Sequence, residues 1–377
     1  MMEIDCTWNT KRTKFAIQGR AAAYFQSRVA VFHPAYFALV MATGIVSIGC
    51  HLLGLKEFAV LLFAINILAY LILWILYFVR AFFFWDEFVK DWFSHKRAFG
   101  FFTLVAGTNV VGSQCAVVCG NLALASSLWV FGLILWFICT YGVFVFLIIG
   151  KEKPSIEVGI NGGWLVAVVA TQSICVLGSQ LASGSIFLCD VFALSLLSFW
   201  MFGGMLYIWL ISLIVYRYLF FKFEPSDLIP PYWINMGAMA ITTLAGAELI
   251  RVFAEVNPIC EMLPFVKGLT TMYWATATWW IPMLLVLGVW RHFIRRFKFQ
   301  YDPLYWGLVF PLGMYSVCSL KLGVILKVGV MHWIAQGFLI VGLLAWLITF
   351  LSMLQRPLYL VVLALRQRST AVLSAED

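Results

Sequence analysis

The sequence predicts an all-α polytopic membrane protein: ten transmembrane helices as five helical hairpins, with the odd helices inner and lining a central pore and the even helices outer. Three observations carry that prediction. Of 377 residues, 63% are hydrophobic and 11% charged, with a mean hydropathy of +0.96; a soluble domain of this balance would have an apolar surface. Apolar runs of about 20 residues, each long enough to cross ~30 Å of hydrocarbon as a helix, recur along almost the whole chain. They are continuous, unlike the short alternating segments of a membrane β-barrel. Lys and Arg, finally, collect on alternate connections.

A basic segment, 1–32, comes first and lacks the short apolar core and cleavage site of a signal peptide, so the first apolar run is expected to remain as a span. The predicted spans are 33–54, 57–80, 99–119, 122–149, 163–182, 185–215, 232–254, 264–290, 303–325 and 332–355, followed by a tail, 356–377. With the N-terminus in the cytoplasm, 20 of the 25 Lys and Arg fall on the inner side, from Lys11 and Arg12 through Arg80, Lys151, Arg217 and Arg291 to Arg368. Outer loops keep Lys56, Lys267 and Lys327, while Arg251 and Lys321 fall within spans. One helix more or fewer would scramble this asymmetry, which places both termini in the cytoplasm and the chain in a plasma (inner) membrane.

The net charge of +8 is accordingly topological and does not imply a nucleic-acid partner. Eight of nine cysteines lie in or near the apolar spans, which indicates neither a disulfide framework nor a thiolate metal site. There is no Walker motif, dinucleotide fingerprint, HExxH or GxSxG, so neither an enzyme nor a bound cofactor or metal is expected.

The even spans are bulky, as in AVLLFAINILAYLILWILYF and SLWVFGLILWFICTYGVFVFLII. The odd spans carry small, weakly polar residues. Steps of 0, 4, 7 and 11 from a threonine follow one helical face and give Thr43, Ser47, Cys50 and Gly54; Thr108, Gly112, Cys115 and Cys119; and Thr171, Cys175, Gly178 and Ala182. The third and fifth spans share the tripeptide GSQ, and the seventh is rich in small residues around Thr242 and Gly246. The threonines recur at intervals of 65, 63 and 71 residues, about one hairpin each, so the sequence predicts hairpins repeated around an axis along the membrane normal. On this expectation Thr43, Ser47, Thr108, Gly112, Thr171, Cys175, Gly178, Thr242 and Gly246 line the pore. Small faces of this kind also mediate close helix packing.

Three stretches resemble one family: HPAYFALVMATGIVSIG at 33–49, PPYWINMGAMAITTLAG at 230–246 and WGLVFPLGMYSVCSL at 306–320. They are similar to the tellurite-resistance and dicarboxylate transporter family, whose relatives include fungal malate permeases, sulfite efflux pumps and the slow-type anion channels of plant guard cells. The resemblance implies five hairpins around a pore, a homotrimer with one pore per subunit, transport of an anion across the bilayer, and a phenylalanine of the ninth helix that occludes the pore. That residue matches Phe310.

Pro311 removes a backbone donor and is expected to kink the ninth helix. Phe310, Met314, Val317 and Lys321 share a face at steps of 0, 4, 7 and 11, with Lys321 about 16 Å beyond Phe310. A cation there would attract anions. Glu248 and Arg251 stand three apart, as a candidate ion pair. The function expected is an anion-selective channel or uniporter for small inorganic or organic anions. The alternative is a proton-coupled dicarboxylate or sulfite carrier in which Glu248 or His33 titrates.

Overall fold

The computed structural model describes residues 26–182, 189–254, 259–298 and 301–373, and these are helical with no strand among them. Ten helices are long and apolar enough to cross a membrane: α1 Pro34–Leu52, α2 Lys56–Phe83, α3 Ala98–Val117, α4 Leu122–Ile149, α5 Gly162–Ala182, α6 Asp190–Phe220, α7 Pro230–Phe253, α8 Leu263–Ile294, α9 Pro303–Leu326 and α10 Val330–Gln355. The predicted start of the sixth span at 185 and the basic segment up to residue 25 lie outside the described residues. The helix of α10 continues past its apolar span to Leu373.

The odd helices pack in a closed ring, α1 on α3, α3 on α5, α5 on α7, α7 on α9 and α9 back on α1. Each even helix lies in the groove between its own odd helix and the next: α2 over α1 and α3, and so on round to α10 over α9 and α1. Between 72% and 94% of the central residues of the odd helices are buried, against 22–44% for the even ones. The bulky Leu, Phe and Trp of the even helices therefore face lipid, where large apolar side chains are at home.

Each odd helix opens with a 3₁₀ turn, and three of the five place proline at its start: Pro34, Pro230 and Pro303. Proline suits that position because its missing N–H would be unsatisfied there in any case. His33 Nδ1, Asn161 Oδ1 and Asp302 Oδ1 cap three of these turns, accepting from Ala35, Gly163 and Leu304 N–H at 3.0, 2.8 and 2.8 Å. A short helix, Trp85–Trp92, lies in the connection from α2 to α3. Its buried Asp91 binds Arg80 at 2.7 Å and Arg97 at 2.6 Å, tying the start of α3 to the end of α2.

Candidate functional site: an axial path through the inner ring

Two cavities lie along the axis of the ring. The wider, about 580 Å³, opens where the odd helices begin and is lined by Ala38, Thr103, Val166, Ile234 and Gly307 of the five odd helices, with Lys96 and Arg97 on the connection from α2 to α3 and Arg217 near the end of α6. The narrower, about 20 Å³, has room for about one water. Its lining repeats in register on every odd helix. The first layer is Ile45, Val110, Ser173, Ile241 and Met314; the second, three residues on, is Ile48, Ser113, Val176, Leu244 and Val317; the third, four further, is Leu52, Val117, Gln180, Glu248 and Lys321. Asn109 adds one more polar group.

On all five helices the residue lining the wide cavity stands seven positions before the first layer, which is about two turns. The residues four before the first layer are Met41, Ala106, Val169, Gly237 and Phe310. All five are buried. Phe310 thus stands between Gly307, in the wide cavity, and Met314, in the narrow one, on one face of α9.

The threonine face points elsewhere. Two residues of helix turn a side chain by about 200°, so Thr43, Thr108 and Thr171, each two positions before the first layer, face away from the axis. Their hydroxyls meet the outer helices. Trp346 of α10 donates to Thr43 at 2.9 Å, Tyr70 of α2 shares a 3.1 Å hydrogen bond with Thr108, and Trp136 of α4 donates to Thr171 at 2.9 Å. The same clasp recurs from Trp200 of α6 to the Thr242 carbonyl and from Trp274 of α8 to Ser319 of α9, both at 2.9 Å. Thr242 is also three residues out of step with the other threonines, since the residue two before Ile241 is Met239.

The remaining small residues expected to line the pore also pack outward, Ser47 by donating to the Ala59 carbonyl of α2 at 2.7 Å. A Cβ on Gly112 would fall 3.4 Å from Leu128 of α4 and 2.4 Å from Leu177; one on Gly178, 2.4 Å from Leu196 of α6; one on Gly246, 2.1 Å from Thr270 of α8. Cys175 is fully buried and absent from both cavity linings. Smallness on this face lets the two rings approach closely, and the expectation that it lines the path is corrected accordingly. The aromatic residues that meet it were the signal missed: every even helix sends at least one Trp or Tyr hydrogen bond to the next odd helix.

Pro311 lies inside α9, which continues past it to Leu326, and its ring packs on Gly237 of α7, where a Cβ would fall 2.6 Å away. Glu248 and Arg251 are paired, Arg251 Nη1 lying 2.9 Å from Glu248 Oε2, and Lys321, which the sequence offers as an anion-attracting cation, joins them with its Nζ 2.8 Å from Glu248 Oε1. The Glu248 carboxylate is 1% exposed, Lys321 23% and Arg251 52%, so the carboxylate is enclosed while both cations reach toward the end of the ring opposite the wide cavity. Together the three carry one net positive charge. His33 is the other candidate proton carrier. Burial, and then Arg97 and Arg80 nearby, lower its imidazole to about 3, which favours the neutral ring that accepts from Ala35 N–H.

A ring of five inner and five outer apolar helices around an axial path defines a multi-pass integral membrane protein of the transport class. The chain belongs to the family described as voltage-dependent anion channel, whose match covers residues 31–354. An uncharacterised membrane protein of Mycobacterium tuberculosis is 38% identical over 149 residues, 40% of this chain and 75% of that protein. An uncharacterised transporter of Methanocaldococcus jannaschii is 25% identical over 348 residues, 88% of this chain and 96% of that one. The sulfite efflux pump of Arthroderma otae is 24% identical over 351 residues, 85% of this chain and 89% of the pump. The family is one of anion transport proteins rather than enzymes.

Proposed function

We propose that the chain is an anion-selective channel or uniporter whose axial path is closed by Phe310. The observation that carries this reading is the seven-residue offset common to all five inner helices, which leaves one intervening layer where Phe310 is the only aromatic ring among Met41, Ala106, Val169 and Gly237. A large apolar ring in a narrow path excludes hydrated ions and dewets the constriction. Met314, Val317 and Lys321 continue the conduit beyond it. Selectivity comes from field: Lys96, Arg97 and Arg217 outnumber Glu157 and Asp227 around the wide mouth, and the Glu248 triad leaves the other end net positive.

The wide mouth faces the cytoplasm in a plasma (inner) membrane, as the inner-side excess of Lys and Arg argues. Small oxyanions such as sulfite, the cargo named for the Arthroderma pump, are the first substrates to test, with dicarboxylates as competitors. Three copies associate, each with its own path.

In proteoliposomes, Phe310→Ala is expected to raise voltage-driven anion flux at least about tenfold, the factor equivalent to 1.4 kcal/mol of barrier. Uphill flux driven by a pH gradient alone, lost in Glu248→Gln, would instead establish the proton-coupled carrier. A monomeric mass in nanodiscs would refute the trimer.

A further inference from the structure

Three buried arginines stand near the ends of outer helices on the side where the inner helices begin: Arg80 of α2, Arg217 of α6 and Arg291 of α8, exposed by 2%, 7% and 9%. Arg80 lies 2.7 Å from Asp91, and Arg217 lies 3.6 Å from Asp227. Arg291 differs, because no carboxylate pairs with it among the described residues. Its Nη1 donates to the Leu228 carbonyl, its guanidinium carbon lies 4.4 Å from the centroid of the Phe297 ring, and its Nε is buried with no acceptor.

A buried cation without a paired carboxylate is costly, since the Leu228 carbonyl and the Phe297 ring replace only part of its lost hydration. Beside Arg291 lies a cavity of about 300 Å³, separate from the axial path. Tyr301, Tyr305 and Ser352 supply polar groups to its wall, while Leu284, Leu308 and Ile348 make an apolar limb. Ile348 is 59% exposed on the outer helix α10, so the limb reaches the surface that faces lipid.

We infer that this cavity binds an anionic phospholipid. The phosphate supplies the counter-charge that Arg291 lacks, and an acyl chain runs along Leu284, Leu308 and Ile348. Basic pockets between transmembrane helices suit such headgroups. A free phosphate would meet the guanidinium equally well but would leave the apolar limb unfilled, which favours the lipid.

The test is thermal stability of the purified full chain in detergent, titrated with dioleoyl phosphatidylglycerol, with dioleoyl phosphatidylcholine or with inorganic phosphate. Phosphatidylglycerol should raise Tm with a saturating dose response, and phosphatidylcholine of the same chains should not. Arg291→Gln should weaken the phosphatidylglycerol response at least about tenfold, the scale of one lost hydrogen bond to a charged group, and Arg291→Lys should restore part of it. Ile348→Trp, at an exposed position, keeps the guanidinium and fills the limb. It should weaken phosphatidylglycerol by a similar factor even if Arg291→Gln does not fold. Equal responses to the two lipids, a phosphatidylglycerol response unchanged in both Arg291→Gln and Ile348→Trp, or stabilisation by inorganic phosphate matching that by phosphatidylglycerol would each overturn the assignment.

Discussion

Glu248→Gln raises the charge of the triad with Lys321 and Arg251 from +1 to +2, and Lys321→Gln lowers it to zero. The layer of Ser173 and Met314 lies seven residues below that triad, or about 10 Å at 1.5 Å per residue. One unit charge acting over about 10 Å in an effective dielectric of about 20 is worth about 1.7 kcal/mol, roughly an 18-fold change in anion occupancy. Screening over one Debye length at 0.1 M salt cuts this to about 0.6 kcal/mol, or roughly threefold. The expected outcome is therefore a gain of between about three- and 18-fold for Glu248→Gln and a loss of similar size for Lys321→Gln. The assay is anion current through proteoliposomes carrying Phe310→Ala in addition, so that the ring does not limit the rate. The difference between the two variants should shrink as salt is raised to 1 M. Lys321 and Arg251 both reach toward solvent, so losing the carboxylate should cost less than breaking a fully buried pair, about 3–5 kcal/mol. Flux moving in the same direction in both variants, or in neither, at preserved Tm would refute the electrostatic account.

The outer-facing small positions should respond in stability. Gly246→Ala puts a Cβ 2.1 Å from Thr270 Oγ1 and 3.0 Å from Trp200, and should cost about 1–3 kcal/mol by thermal unfolding. Gly268→Ala and Gly337→Ala meet nothing within 4 Å and should be neutral or stabilising by up to about 1 kcal/mol. Trp136→Phe removes the donor to Thr171 and should cost about 1 kcal/mol while leaving flux unchanged, because neither residue lines the path. His33 titrates near 6.5 when unfolded and at about 3 when folded, so the unfolded chain binds the extra proton and stability falls as pH drops from 6.5 toward 3, by about 1.4 kcal/mol per pH unit. His33→Asn keeps a capping side chain without a titrating group, and its Tm should lose that share of the slope between pH 6 and 4.

The ten helices and their division into two kinds were legible because apolar length and the placement of Lys and Arg are one-dimensional signals. The facing of the inner helices was not. Thr43, Thr108 and Thr171 form as regular a stripe as Ile45, Val110 and Ser173, and a stripe of small residues serves a pore and a close helix contact equally. What distinguishes them is the partner: the Thr hydroxyls meet one Trp or Tyr from each neighbouring even helix, and that pairing crosses the sequence at 35 to 303 residues. Glu248 and Arg251 could be paired from their spacing of three, whereas Lys321 joins them only when α9 is set beside α7. The short helix Trp85–Trp92 was hidden because eight residues are too few for a periodic signal.

The geometry of five helices explains why the axial face is branched and apolar rather than small. Neighbours 8–10 Å apart in a five-membered ring put each helix axis about 7–8.5 Å from the centre. Subtracting a Cα radius of about 2.3 Å leaves roughly 5–6 Å for each side chain to fill. Isoleucine, leucine, valine and methionine nearly close that gap, which is why the cavity beyond Phe310 has shrunk to about 20 Å³. Alanine and glycine do not reach so far, so the layer of Ala106 and Gly237 would stand open without a long side chain from another helix. Met41, Val169 and Phe310 reach inward there, and only Phe310 is a ring. On the proposed function, that single ring is what closes the path, which is why Phe310→Ala is expected to open it with the ten helices left in place.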